Sequence, residues 1–150
     1  MQHRQLSLAH YVRRRNGVAL GTPGALTNML RRSLGANSIT QFWQFWNPVF
    51  GYYLGRYVFR PARSIGLSYS WATLITFCVS GAIHDLATGL VRQQFVFVCT
   101  PWFMLMGIGL LISRSMNMNL KSMRWGSKAM VHLTYVSVCL LIVQLIKHTL

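Results

Sequence analysis

The sequence predicts an all-α polytopic membrane protein: three transmembrane helices preceded by an aromatic helix that is interfacial or re-entrant. Three observations carry that class. Hydrophobic residues make up 53% of the chain and charged residues only 11%, and the apolar ones fall in blocks close to the ~20 residues a bilayer requires. Arginines and lysines flank those blocks. His84 and Asp85, the only acidic residue, sit toward the end of one apolar block, where removal from water is costly unless a polar cavity or a partner receives them.

Residues 1–37 form a basic segment with Arg4, Arg13, Arg14, Arg15, Arg31 and Arg32. Gly17, Gly21, Pro23 and Gly24 break any long helix there. A short amphipathic helix over 25–34, with Leu26, Met29 and Leu30 inward, would lie on the membrane surface; a poorly ordered basic tail fits the same residues. From 38 to 150 the chain reads as a membrane domain. Ser38-Ile39-Thr40-Gln41 has the form of a capping box that starts a helix at Ile39. The run that follows, to Phe59, is dense in Phe, Trp and Tyr. Pro48 removes a donor in the middle of it and disfavours helical geometry at Asn47. Arg56, Arg60 and Arg63 come next, so a simple span would put basic groups on both faces of the membrane, against the positive-inside tendency. A helix pair bent at Asn47-Pro48, with residues 39–60 not crossing, satisfies both observations. Three spans are expected beyond it: residues 67 to 86 or 90, residues 95–113 with a kink at Pro101, and residues 128–146.

Arg92 stands alone between the first two spans, whereas Arg114, Lys121 and Arg124 lie between the second and third. This places the N-terminus and the second connection in the cytoplasm, in a bacterial inner membrane or the endoplasmic reticulum. The net charge of +14 then points to membrane lipid with anionic headgroups as a partner and away from nucleic acid. No secretory signal is legible in residues 1–15, which are polar and arginine-bearing. Cys78, Cys99 and Cys139 lie in different apolar blocks with no metal-ligand spacing, and read as small buried hydrophobes.

Three roles are open to His84. It can pack against a neighbouring helix, act as a general base if its imidazole stays neutral, or ligate a haem with His132. Depth argues against the last: counted from the cytoplasmic ends of their spans, His84 lies roughly 25 Å in and His132 roughly 7 Å in. Asp85 follows His84 by about 100° around a helix, so the two do not share a face. An ion pair with Arg92 or an arginine of another segment is its expected role. Ser80, one turn before His84, can bond the ring or its own helix backbone. Asn47 can cap the half-helix after it or donate its amide to a carbonyl oxygen. Trp43 and Trp46 alone would read as an interfacial belt.

The cluster Phe42-Trp43-Gln44-Phe45-Trp46-Asn47, a basic run, and the apolar span ending Val79-Ser80-Gly81-Ala82-Ile83-His84-Asp85 together resemble the membrane-bound O-acyltransferase family, in its wax-synthase and diacylglycerol-acyltransferase branch. The resemblance covers residues 38–90, with the later spans as the family's C-terminal helices. It implies transfer of a fatty acyl group from acyl-coenzyme A, a co-substrate rather than a tightly bound cofactor, to a hydroxyl acceptor. His84 takes the place of the family's catalytic histidine and Asn47 that of its asparagine. Trp43, Trp46, Ser80, Asp85, Arg56 and Arg60 are the candidate substrate contacts, the arginines meeting coenzyme A phosphates or anionic lipid. No metal is required. Asp85 departs from the branch's usual glutamate. Complete members are also much longer, so the chain resembles a C-terminal part whose acyl tunnel is completed by a missing N-terminal half, a second copy or another polypeptide. The competing reading is a non-catalytic membrane protein, an acyltransferase remnant or a subunit of a larger complex. Whether His84 and Asn47 face one cavity discriminates the two.

Overall fold

The computed structural model describes residues 7–94 and 97–149, and among these every regular element is helical. Three short helices come first: α1 (Leu8–Asn16), α2 (Ala25–Leu34) and α3 (Ile39–Phe45). The stretch from Pro48 to Ser64 runs as α4 (Pro48–Leu54), a π-helical turn (Gly55–Phe59) and α5 (Arg60–Ser64), followed by α6 (Tyr69–Arg92), α7 (Cys99–Ser115) and α8 (Trp125–Thr149). The glycine-rich stretch predicted to break the basic segment does so, with Gly17, Gly21 and Gly24 all at positive φ. Helix α2 has the expected bounds; Leu26, expected to face the membrane, is 67% exposed, and the helix's buried residue is Ser33.

Among the described residues two helices are long and apolar enough to cross a membrane, α6 and α8. The 17 residues of α7 give about 26 Å of helix, at the short end of what a bilayer takes. The start expected for that span, residues 95 and 96, lies outside the described residues. Pro101 produces no kink, because it falls in the first turn of α7, where no intrahelical donor is needed.

The aromatic segment doubles back along α6. Ser38 caps α3 by accepting from the Gln41 amide at 3.1 Å, and the Gln41 side chain accepts from the Asn37 amide at 2.8 Å. At Asn47 the backbone turns left-handed (φ 40°, ψ 70°) and helix resumes at Pro48. Trp43 then meets Phe77 at 5.1 Å, Phe50 meets His84 at 5.6 Å, and Phe59 meets Tyr69 at 5.6 Å. Since His84 follows Tyr69 by fifteen residues, or about 22 Å of helix, the segment descends to the level of His84 and returns to the level of Tyr69. Both of its ends sit at one end of α6, as a re-entrant pair requires. The wide turn has a local cause: Pro61 cannot donate to the preceding turn, and the Arg60 amide bonds back to the Gly55 carbonyl.

Helices α6 and α7 make the closest pair. A Cβ on Gly81 would stand 2.6 Å from the Thr100 Cα and 2.8 Å from the Cys99 carbonyl oxygen, so only glycine admits the start of α7 here. Helix α8 is joined to α7 by a bond from the Trp102 indole to the Val136 carbonyl at 3.1 Å. It is joined to the loop after α2 by a bond from Lys128 to the Asn37 side chain (2.7 Å), and to α2 itself by one from Trp125 to the Arg31 carbonyl (3.0 Å).

Candidate active site

A cavity of about 310 Å³ lies between the re-entrant segment and α6. Tyr69, Thr73, Thr76, Phe77, Ser80 and His84 supply its α6 wall. Their spacing of three, four and seven is that of one helix face. Trp43, Trp46, Asn47 and Phe50 supply the opposite wall, with Phe103 from α7 and Tyr11 from α1. His84 and Asn47 therefore line one cavity, at its deeper end.

His84 is solvent-exposed on the cavity side. Its Nδ1 lies 2.8 Å from the Ser80 carbonyl oxygen. A carbonyl only accepts, so Nδ1 carries a proton; in the neutral form of the ring Nε2 then holds the lone pair, and it has no hydrogen-bond partner among the described residues. Phe103 at 4.9 Å and Phe50 at 5.6 Å, the latter edge-on, bound the imidazole. The sequence suggested a bond from the Ser80 hydroxyl; the bond is made by its carbonyl, and Ser80 itself is a buried member of the cavity wall.

The Asn47 side-chain oxygen accepts from the Phe50 amide at 3.2 Å and so caps α4. Its side-chain nitrogen makes no hydrogen bond among the described residues and remains a donor. Trp43 stands on the wall with its indole N–H toward the Tyr135 hydroxyl at 3.3 Å, and that hydroxyl donates to the Met106 carbonyl. Trp46 stacks on Phe42 at 5.6 Å.

Asp85 lies behind the cavity wall. The residue is 4% exposed, and its carboxylate accepts from the amides of Val98 (3.1 Å), Cys99 (2.8 Å) and Thr100 (2.7 Å) and from the Thr100 hydroxyl (2.6 Å). The expected ion pair with Arg92 is not made, because the N-terminus of α7, with its unpaired amides and positive dipole end, takes the carboxylate instead. Arg56 and Arg60 are exposed and off the cavity wall. Arg56 donates to the Tyr52 hydroxyl at 2.9 Å, a bond that pushes the guanidinium pKa further up. A polar hollow of about 380 Å³ adjoins the cavity, sharing Thr40 and Gln44 with it and carrying Arg114 and Lys121. Arg114 also lies over the Tyr69 ring at 4.0 Å, at the shallow end of the cavity.

The sequence model of MBOAT, the membrane-bound O-acyltransferase family, matches residues 21–144. The chain belongs to the membrane-bound O-acyltransferase family. It is accordingly an integral membrane protein of O-acyltransferase type, with the aromatic motif, the basic run and the histidine span all inside the matched region. No curated protein and no solved structure gives a significant match to it. In this member of the family, the parts of the site not legible in advance include Phe50, Phe103 and Tyr11. Only Phe50 had a local signal, one turn from Asn47 on the same half-helix; the other two reach the cavity by tertiary packing.

Proposed function

We propose that the protein moves a fatty acyl group from acyl-coenzyme A to the hydroxyl of an alcohol or lipid, in the manner of the wax-synthase and diacylglycerol-acyltransferase branch. The observation that carries this reading is the single cavity shared by His84 and Asn47, in which His84 keeps Nε2 free. Nε2 takes the proton of the acceptor hydroxyl as its oxygen attacks the thioester carbonyl. The Asn47 side-chain amide donates to the oxygen on which negative charge develops. The tetrahedral adduct then expels the coenzyme A sulfur, which leaves with the proton held on Nε2. Base and acid are one imidazole, so no metal enters the scheme.

The acyl chain would lie along the aromatic lining of Trp43, Trp46, Phe50 and Phe103. Coenzyme A phosphates would meet arginine and lysine at the shallow end, where Arg114 and Lys121 stand in the adjoining hollow, with Arg56 and Arg60 on the neighbouring exposed turn. The test is a transfer assay on protein in lipid nanodiscs, with radiolabelled oleoyl-coenzyme A and a long-chain alcohol. Ester formation that requires His84 is the expected result. Absence of ester with every hydroxyl acceptor offered, at all protein concentrations, would support the second reading, a non-catalytic subunit or remnant. The feature favouring that reading is the openness of the site, since His84 and Asn47 are both exposed in the isolated chain. In our proposal a second copy or another polypeptide covers them.

A further inference from the structure

We infer that Asp85 is a positioning residue for His84, acting through α7; the inference rests on His84 being the base. Neighbouring residues on a helix point about 100° apart, so Asp85 does not touch the imidazole. It reaches instead across to the next helix. Val98, at the cap position of α7, offers no side-chain cap, and Asp85 supplies from α6 the acceptor that the local sequence lacks. Four bonds of 2.6–3.1 Å, all to a buried carboxylate, hold the first turn of α7 in place. Phe103 is one turn further along, and its ring rests 4.9 Å from the His84 ring.

Gly81, His84 and Asp85 thereby form one device at spacings of three and one. Gly81 admits the α7 backbone, which a Cβ would meet at 2.6 Å. Asp85 fixes the end of α7, and Phe103, carried on that helix, limits the swing of the imidazole about its one hydrogen bond to Ser80. The geometry matters because a general base works only within hydrogen-bond reach of its proton. A displacement of about 1 Å can lower turnover ~10²-fold.

Asp85→Asn keeps the shape but replaces one acceptor oxygen by a donor facing amides. Its kcat should fall about tenfold or more while the KM for acyl-coenzyme A stays at the parent value. A second readout does not depend on turnover: carbethoxylation of His84 by diethyl pyrocarbonate, followed peptide by peptide by mass spectrometry with exposed His10 and His148 as internal references. The rate at His84 should change several-fold in Asp85→Asn and in Phe103→Leu, and less in Thr100→Val, while Thr100→Ser should match the parent. If Asp85→Asn does not fold, Thr100→Val and Phe103→Leu decide the matter alone. An unchanged His84 rate in the folded variants overturns the inference. So do equal effects of Thr100→Ser and Thr100→Val, which would assign the change to bulk rather than to the hydroxyl bond. Failure of the base reading is separately visible, as turnover that survives His84→Ala.

Discussion

His84 and His132 are both set in apolar helices, and the protein treats them in opposite ways. His132 is 0% exposed; its Nε2–H donates to the Ala36 carbonyl at 3.0 Å, and its ring stacks on Phe42 at 4.9 Å. Its Nδ1 is buried without a partner. His84 bonds a carbonyl of its own helix and leaves its second nitrogen to a cavity. One histidine is a strut that ties α8 to the loop after α2. The other is held on one side and left available on the opposite side. The difference teaches that chemistry is read from what the second ring nitrogen faces, not from the presence of histidine in an apolar span.

That comparison can be broken in several ways. The largest expected effect is on His84→Ala, which should lower acyl transfer by about 10²-fold or more, the range for loss of a general base and about 2.7 kcal/mol of barrier. Turnover in nanodiscs measures it, and equal losses from His84→Ala and His132→Ala would erase the distinction. Gly81→Val comes next. The new side chain meets backbone of α7, so a loss of about 1–3 kcal/mol or more is expected, from overpacking that flexible neighbours cannot relieve. Thermal unfolding in detergent reads this, and an unshifted midpoint would contradict the close α6–α7 approach. His132→Leu is smaller. It removes the bond to Ala36 and leaves that carbonyl unpaired, for about 1–2 kcal/mol, while turnover per folded molecule stays near the parent value. The smallest effect is an expected identity. In a background without Cys78, Cys99 and Cys139, single cysteines at Arg31 and Ser64, both exposed, should label from the same face of the membrane, and from the cytoplasmic one. Labelling from opposite faces would turn the re-entrant segment into a span.

Much of this arrangement could be read from local chemistry. Ser38 and Gln41 announced the start of α3 and Asn47-Pro48 the bend, while the flanking arginines suggested a chain that doubles back, as it does along α6. Those signals act over a few residues. The partner of Asp85 was not legible, because the amides that claim it begin thirteen residues away across a helix connection, and nothing near Asp85 marks them. An amphipathic pattern likewise identifies an apolar stripe on α2, but what covers that stripe depends on neighbours far away in the chain, and Leu26 is left 67% exposed. Phe103 shares that opacity: its contact with His84 depends on the depth at which α7 starts.

The wide turn at Gly55–Phe59 has a consequence for the phase of the chain. Phe50 and Phe59 both line the cavity, yet nine residues of plain α-helix would turn them about 180° apart. A turn closed over five residues instead of four takes up one residue, which leaves them about 80° apart and able to face α6 together. This segment is thus where the chain can lose a residue and keep its facing. Deletion of Val58 should convert the turn to α-helix with both phenylalanines still toward α6, and unfolding midpoints should fall far less than on deletion of Ile75. In α6 the same loss swings everything beyond it, His84 included, by about 100° off the cavity.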